Sequence, residues 1–188
     1  MRLRRDALAG AAELVLEVER LAQETDGLTA TVGRITVEPN VGNVIAGRAR
    51  FSYDVRHQDG DIRTGARDRI EQAARDIAGR RGLELDWSPR DDISPVPMSP
   101  RVRELLARAC GEAGVPAFEL PSGAGHDAMT ASNLTPEVGM LFVRCKDGIS
   151  HNPAESVRAD DVAVALDVVV HFLGLRGKPS RRDGRRGS

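Results

Sequence analysis

The segment SPRDDISPVPMSP, residues 88–100, constrains the fold of this chain more than any other feature. It holds four prolines and shows no helical period. Proline breaks helices and cannot donate a ladder hydrogen bond, so such a segment belongs at a sheet edge or between domains. We therefore predict an edge strand leading into a linker, with one domain over residues 1–95 and a second part over residues 96–175.

The first part has the pattern of an open-faced α/β sandwich. Apolar residues at helical spacing predict a helix over residues 2–24 and another around residues 66–77. Strands are predicted over residues 28–37, over RARFSYDVR at 48–56 and over GLELDW at 82–87. The order helix, two strands, helix, strand places both helices on one face of an antiparallel sheet.

The alternation in RARFSYDVR also predicts which side chains face the core. Successive side chains of a strand point to opposite faces of the sheet. The apolar positions, predicted to face the helices, are Ala49, Phe51, Tyr53 and Val55. The polar positions, predicted on the open face, are Arg48, Arg50, Ser52, Asp54 and Arg56.

The second part has the pattern of a parallel α/β layer. Helices are predicted near 101–114, from GAGHDAMTASNL onward, and near 158–175. Short strands are predicted near 117–120 and over VGMLFV at 138–143. Parallel sheets normally have more than two strands and cover on both faces, so we expect this part to be a piece of a larger sheet. The overall fold class is α/β.

Composition narrows the classes of partner. The chain has 188 residues and a formal net charge of -1, which gives no reason to expect nucleic acid or an anionic membrane as a partner. No segment is long and apolar enough for a transmembrane span. The two cysteines lack metal-site spacing, so reduced thiols and a cytoplasmic location are expected. The basic tail over 176–188 is expected to be disordered.

The loop GISHNPAES, residues 148–156, contains a candidate ligand. His151 follows the end of the predicted strand VGMLFV, and ligands of α/β sheets bind beyond the carboxyl ends of parallel strands. The same loop contains three other polar residues, Ser150, Asn152 and Glu155. A histidine buried in a core would not need such polar neighbours. A metal-ligand role and a merely exposed or structural histidine both remain open from these residues alone.

The segment PSGAGHDAM, residues 121–129, is a second candidate. Its glycines directly precede His126 and Asp127 at a predicted helix start. Glycine lets a backbone approach a ligand closely, and helix N-terminal amides favour an anion or a polarised carbonyl oxygen. An ordinary strand-to-helix turn, with Asp127 placed by the helix dipole, explains the same pattern.

Asn43 and Arg56 form a third candidate pair. Arginine is the natural bidentate partner of a carboxylate, and an asparagine amide can add a further donor. Asn43 lies in the irregular connection EPNVGNVIAG, and Arg56 ends the alternating strand. An arginine on the polar face of a sheet can equally be solvated without any ligand.

Four segments together resemble a known family. PNVGNVIAGRARFSYDVRHQD, SPVPMSP, LPSGAGHDAM and GISHNPAES occur in this order. With these separations they resemble the hydantoinase/carbamoylase family of zinc-type amidohydrolases. This family includes N-carbamoyl-L-amino-acid hydrolases, allantoate amidohydrolases and β-ureidopropionases, within the aminoacylase and carboxypeptidase metallohydrolase superfamily. The resemblance extends from residue 1 to about residue 175.

The resemblance implies a fold and a set of roles. It implies a lid and dimerisation domain over residues 1–95, followed by the C-terminal part of a catalytic domain that holds two divalent metal ions, Zn, Mn or Co. His151 would be the last metal ligand. Asn43 and Arg56 would hold the carboxylate of a small-molecule substrate, often in a site shared between the subunits of a homodimer. Gly125 and His126 would contact the other end of the substrate, with His126 as a possible transition-state contact.

Two departures from the family pattern shape the functional hypotheses. Ala46 stands where the family usually has a proline, and the family's other metal ligands and catalytic glutamate lie upstream of residue 1. The helical pattern also starts at Met1 without a capping residue. We therefore expect a truncated copy or fragment of an amidohydrolase of linear amide or carbamoyl C–N bonds, inactive and metal-free on its own. The alternative is a non-catalytic dimerisation or lid module.

Overall fold

The computed structural model describes residues 4–177, which separate into two compact units between Pro95 and Val96. The elements of the first unit are α1 (Ala7–Glu24), β1 (Thr29–Glu38), β2 (Arg48–Arg56) and α2 (Gly60–Arg81). The elements of the second unit are α3 (Pro100–Glu112), α4 (Asp127–Ala131), a 3-10 turn (Lys146–Gly148) and α5 (Ala159–Arg176). The described residues thus form a mixed α/β protein. The assignment of the two units as lid and catalytic parts stays a prediction.

β1 and β2 form an antiparallel hairpin with the predicted alternation. Thr29 lies opposite Arg56 at one end, and Glu38 lies opposite Arg48 at the loop end. The register shifts between Val32 and Arg34, so β1 carries one extra residue, a bulge that increases the local twist. Along β2 the exposed and half-buried residues alternate strictly, which confirms the predicted facing of each side chain.

The core of the first unit lies between the two helices and one face of this hairpin. Buried residues come from both helices and from Leu28, and apolar residues on one face of the hairpin pack against them. The largest fully buried side chains there are Val18, Leu21 and Ile70. Since the helices cover only one face, the polar face of the hairpin is exposed, as the predicted open-faced arrangement requires.

The first helix differs from its prediction at its start. It begins at Ala7 rather than at residue 2, and Asp6 is its N-cap. The Asp6 carboxylate accepts a hydrogen bond from the Ala9 backbone N–H over 3.1 Å and pairs with Arg4. This capping hydrogen bond is the main cause of the lowered pKa of Asp6, and the pair with Arg4 adds to it. The expected absence of a cap was therefore wrong, because the apolar period continued past the capping residue.

The predicted third strand, GLELDW at 82–87, is not a strand, and neither is the predicted edge strand in 88–100. Among the described residues the only sheet is the β1–β2 hairpin. Alternation reports which side chains face a core, whereas a strand also needs a hydrogen-bonded neighbour. Trp87 does pack on that core, with its ring centroid 5.1 Å from that of Tyr53.

The second unit is organised by helices. α3 packs on α5 around Ala109, Cys110, Val168 and Leu175. The predicted parallel layer was wrong for the described residues, because 117–120 and 138–143 form no strands. These apolar segments have no strand beside them, and 138–143 is instead tied to α3 by a 2.8 Å hydrogen bond from the Ser99 N–H to the Val138 carbonyl oxygen.

The three predicted helices of the second part are confirmed, with small shifts at their ends. Of the predicted tail over 176–188, Arg176 completes α5, and residues 178–188 lie outside the described residues. Within residues 4–177 no helix has the length and apolar character needed to cross a bilayer.

Candidate functional site

Arg56 ends β2 on the exposed face of the hairpin. Its guanidinium forms a fork with Asp54: Nε donates to Oδ1 over 2.6 Å, and Nη2 donates to Oδ2 over 2.9 Å. The two residues share a face because they are two apart in a strand. The hydrogen bonds from Arg56 are the main reason that the pKa of Asp54 lies below its usual value, and the Asp54 carboxylate raises the pKa of Arg56 in return.

Asn43 lies in the loop that joins the two strands. The loop is closed by a 3.0 Å hydrogen bond from the Gly47 N–H to the Glu38 carbonyl oxygen, and Asn43 is exposed in a turn between Val41 and Val44. Ala46 is buried, and its carbonyl oxygen accepts a 3.0 Å hydrogen bond from the Ala7 N–H. The loop is therefore fastened to the first turn of α1.

The structure does not bring Asn43 and Arg56 together. β2 has nine residues and begins beside the loop, so its far end, at Arg56, is about 26 Å away at the usual rise per residue. α1 runs the same length, with Ala7 at the loop end and Asp26, just beyond its last turn, beside His57 at the Arg56 end. The two side chains thus lie at opposite ends of the hairpin, too far apart to hold one small carboxylate within a single chain.

His126 and Gly125 lie directly before α4, as the sequence predicts. His126 is the N-cap residue, but its side chain makes no capping hydrogen bond. Its exposed imidazole contacts Phe142 edge-to-face, with ring centroids 5.9 Å apart. A Cβ added to Gly125 would meet only Met129 Sδ at 3.9 Å, an ordinary contact, so packing within the chain does not require glycine there.

His151 lies in an exposed loop with an unusual backbone. Its φ of 57° is in the left-handed region, which costs a non-glycine residue free energy. The Glu155 carboxylate holds this conformation by accepting a 3.0 Å hydrogen bond from the His151 N–H, and Asn152 Oδ1 accepts another from the Ala154 N–H. Asn152 and Glu155, two of the three polar residues noted in the sequence, therefore shape the backbone around His151. Within residues 4–177 no hydrogen bond restrains the His151 imidazole.

The described residues do not form a metal centre by themselves. Within residues 4–177 no three His, Cys, Asp or Glu side chains lie close enough together to hold a metal ion. A binuclear centre needs several such ligands, some of them bridging. The donor set of this part of the chain therefore does not fit two metals, although an exposed His151 could serve as one ligand.

The second unit also contains a cleft of about 350 Å³ that holds none of the predicted site residues. Its lining includes Val102, Leu105, Phe172 and Glu137. Glu137 pairs with both Arg101 and Arg176. Because this carboxylate neutralises part of the arginine charge, the cleft shows no clear preference for an anion.

Two polar residues near Arg56 escaped the sequence interpretation. Asp54 was placed on the open face but not recognised as the partner of Arg56, although residues two apart in a strand are neighbours. His57 follows Arg56 directly and bonds to Asp26 and Asp59. The contact with Asp26 joins residues 31 positions apart, so no local pattern predicts it.

Comparison with known proteins identifies a family of hydrolases to which this chain belongs. The sequence profile of Peptidase family M20/M25/M40 matches residues 4–174, and the chain belongs to this family. The N-carbamoyl-L-amino acid amidohydrolase of Geobacillus stearothermophilus is 38% identical over 173 residues, which is 92% of this chain and 42% of that protein. The allantoate amidohydrolase of Bacillus subtilis is 33% identical over 174 residues, again 92% and 42% of the two chains.

A solved structure shows the same fold. The crystal structure of an amidase of the hydantoinase/carbamoylase family from Burkholderia multivorans superposes with a TM-score of 0.85 and 34% sequence identity. The match covers 92% of this chain and 42% of that chain. The resemblance to the hydantoinase/carbamoylase amidohydrolases is thereby confirmed, and these relatives hydrolyse C–N bonds. The chain spans less than half the length of each relative.

Proposed function

We propose that this chain carries the carboxylate-recognition part of a metal-dependent amidohydrolase. The reaction is hydrolysis of a linear amide or carbamoyl C–N bond in an N-carbamoyl amino acid, allantoate or ureidopropionate. The observation that carries the proposal is the Arg56–Asp54 fork on the exposed face of β2. The named relatives act on N-carbamoyl-L-amino acids and on allantoate, and both compounds contain a carboxylate.

Arg56 suits a carboxylate because its guanidinium is planar and permanently charged. Asp54 orients that plane through two hydrogen bonds, so less side-chain freedom is lost when a ligand binds. The side chain of Arg56 is 51% exposed, so a substrate can reach it. All three proposed substrate types share the carboxylate, so Arg56 recognises the class, and contacts elsewhere select among its members.

Asn43 enters the proposal through a second copy of the chain. Since Asn43 and Arg56 lie at opposite ends of the hairpin, one substrate can meet both only if they come from different chains. We place such a shared site in a homodimer formed by the first unit. An isologous dimer would pair Asn43 of each chain with Arg56 of the other, giving two equivalent sites.

His126, Gly125 and His151 complete the proposal. The exposed imidazole of His126 and the unhindered backbone at Gly125 are assigned to the end of the substrate opposite its carboxylate. His151 is assigned as one metal ligand. Metal ions would supply the activated water for hydrolysis, and the described residues do not complete a site for them.

The test is an NMR titration of the 188-residue chain with N-carbamoyl-L-alanine and with its uncharged carboxamide. We expect the acid to bind and the carboxamide to bind much more weakly. Arg56→Lys keeps the charge but loses the fork, so it should weaken binding of the acid about thirtyfold, which corresponds to about 2 kcal/mol for a charge-assisted hydrogen bond.

The matched control is Arg50→Lys. Arg50 lies on the same exposed face of the same strand, six positions from Arg56. Its substitution should leave the affinity unchanged. If neither variant loses affinity, the acid senses only the general positive charge of the sheet face, because lysine keeps that charge at both positions. Equal losses in both variants would mean that the effect is not specific to Arg56. Either result would make the assignment of Arg56 wrong.

A further inference from the structure

His57 occupies a junction of three segments beside Arg56. Its Nε2 lies 3.1 Å from the Asp26 carbonyl oxygen, in the turn between α1 and β1. Its Nδ1 accepts a 2.9 Å hydrogen bond from the Asp59 N–H, and Asp59 is the N-cap of α2. One side chain therefore links the α1–β1 turn, the end of β2 and the start of α2.

These contacts determine the form of the imidazole. A ring nitrogen that accepts a hydrogen bond cannot carry a proton, so Nδ1 is unprotonated. Nε2 must then carry the proton, which it donates to the Asp26 carbonyl oxygen. Nδ1 also lies 3.2 Å from the Asp59 carbonyl oxygen, but two acceptors form no bond. With Nε2 as the donor and Nδ1 as the acceptor, the ring satisfies both neighbours.

The link matters because Arg56 is the last residue of its strand. The backbone ladder ends at the pair of Thr29 and Arg56, and terminal pairs of a hairpin fray. The bond from His57 to Asp26 is formed one residue beyond this last pair, by a side chain instead of the backbone. It holds the end of β2 against the segment that leads into β1.

Gly27 shows how closely the ring fits. Its φ of +71° is a conformation that side chains disfavour, and an added Cβ would lie 3.1 Å from His57 Nε2. The α1–β1 turn thus packs so closely against the imidazole that a side chain at Gly27 would crowd it. Gly27→Ala offers a way to disturb the His57–Asp26 contact without changing either residue.

We propose that His57 is a positioning residue for Arg56 and so sets the discrimination for substrates with a carboxylate. It acts through the backbone at the end of β2, and it touches no substrate. This inference rests on the proposed function, since it assigns His57 a role in the same carboxylate site.

Two substitutions separate the contacts of the ring. The amide nitrogen of glutamine can take the place of Nε2, so His57→Gln retains a donor for the Asp26 carbonyl oxygen. The carbonyl oxygen of asparagine can take the place of Nδ1, so His57→Asn retains only the acceptor for the Asp59 N–H. If the link to Asp26 positions Arg56, glutamine should rescue and asparagine should not.

The experiment follows the Arg56 Nε–Hε cross-peak of the 188-residue chain by NMR, first without ligand and then during titration with N-carbamoyl-L-alanine and its carboxamide. We expect His57→Asn and Gly27→Ala to broaden or shift this cross-peak. Each should weaken binding of the acid about fivefold, the change that one lost hydrogen bond corresponds to, while binding of the carboxamide stays constant. His57→Gln should resemble the wild-type chain.

Other outcomes would overturn the proposal. A lower melting temperature in His57→Asn, with an unchanged Arg56 cross-peak and unchanged discrimination between acid and carboxamide, would make His57 purely structural. If Arg56→Lys has no effect on binding of the acid, the proposed function fails. The cross-peak without ligand still decides whether His57 positions Arg56, so the two failures are distinguishable.

Discussion

Asp54 and Arg56 stabilise each other's charged form on the exposed face of β2. The Arg56 hydrogen bonds lower the pKa of Asp54, so this pair stabilises the folded chain above the ordinary titration range of aspartate. That stabilisation is lost as the pH falls through the lowered pKa. Single substitutions can test whether Arg56 is the cause of the lowered pKa of Asp54.

Arg56→Lys should raise the pKa of Asp54 toward its usual value. Lysine cannot donate two parallel hydrogen bonds to the carboxylate, so the charged form loses its main stabilisation. Carboxyl-carbon NMR titration of Asp54 measures this shift directly. Arg50→Lys should leave the titration of Asp54 in place, and an equal shift in both variants would contradict a specific fork.

Gly125→Ala separates a functional glycine from a structural one. A Cβ fits at Gly125, so the melting temperature should be unchanged or slightly raised. At Gly139 a Cβ would lie 2.5 Å from Val102 Cγ1, so Gly139→Ala should lower it. If Gly125 contacts substrate, its variant should nevertheless weaken binding of N-carbamoyl-L-alanine. A strongly destabilised Gly125→Ala would argue that this glycine serves the fold.

For single residues, the sequence predicts which face of the sheet a side chain lies on better than it predicts which residues that side chain contacts. Alternation in β2 was enough to place Arg56 and Asp54 on the exposed face, because the period of a strand is a local property. The link from His57 to Asp26 and the separation of Asn43 from Arg56 depend on the path of the whole hairpin. The positive φ of His151 was equally hidden, because most non-glycine residues have negative φ and the local sequence does not mark the exceptions.

Among the elements, α2 holds the proline-rich segment through Asp92. Arg63 Nη1 and Arg67 Nη1 each lie 2.7 Å from an oxygen of this carboxylate. The Arg63 side chain is only 12% exposed, and its Nε is buried without a hydrogen-bond partner among the described residues. The position of residues 88–95 beside α2 therefore depends on one charge.

Asp92→Asn should loosen this segment. The amide lacks the charge and presents a donor where an arginine donates, so we expect a lower melting temperature and faster hydrogen exchange in 88–95. Arg63 is the main cause of the lowered Asp92 pKa, with Arg67 adding to it. The stabilising effect is present above the ordinary aspartate range and lost as the pH falls through the lowered pKa.

The difference in melting temperature between wild-type and Asp92→Asn chains should accordingly shrink on acidification. Asp91→Asn is the matched control, because no ion pair of the described residues involves Asp91. A difference that persists in strong acid would attribute the effect to packing of the side chain instead of its charge.

Helices and strands could be predicted from the sequence where a local pattern of residues is enough to determine them. The helices follow from apolar spacing, and the hairpin follows from alternation, so both were found with small end errors. The segments 82–87, 117–120 and 138–143 have strand-like composition but no strand beside them in the described chain. Pairing is a property of two segments, and the composition of one cannot supply it.

At the scale of the whole molecule, the chain is proposed to recognise substrate, but its described residues do not complete a metal site. The chain matches the family profile over residues 4–174 while spanning 42% of its relatives. Substrate recognition is proposed for the residues present, and the described residues hold no group of three metal-ligating side chains.

We therefore expect the 188-residue chain to bind N-carbamoyl-L-alanine but to show no turnover of it or of allantoate with added zinc, manganese or cobalt. Hydrolysis by two metals needs more ligands than the described residues bring together. Product release measured by chromatography checks this expectation. Turnover that titrates with metal and disappears in His151→Ala would contradict it.

The placement of Asn43 and Arg56 at opposite ends of the hairpin predicts that two defective variants can complement each other when they are mixed. Asn43→Ala chains and Arg56→Lys chains should each bind substrate poorly, yet mixing them should restore substrate binding by complementation. In a mixed dimer one site receives both defects and the other receives neither. With random exchange of subunits, about one quarter of all sites regain full affinity in a two-fold symmetric dimer. If the two residues act independently, mixing restores nothing.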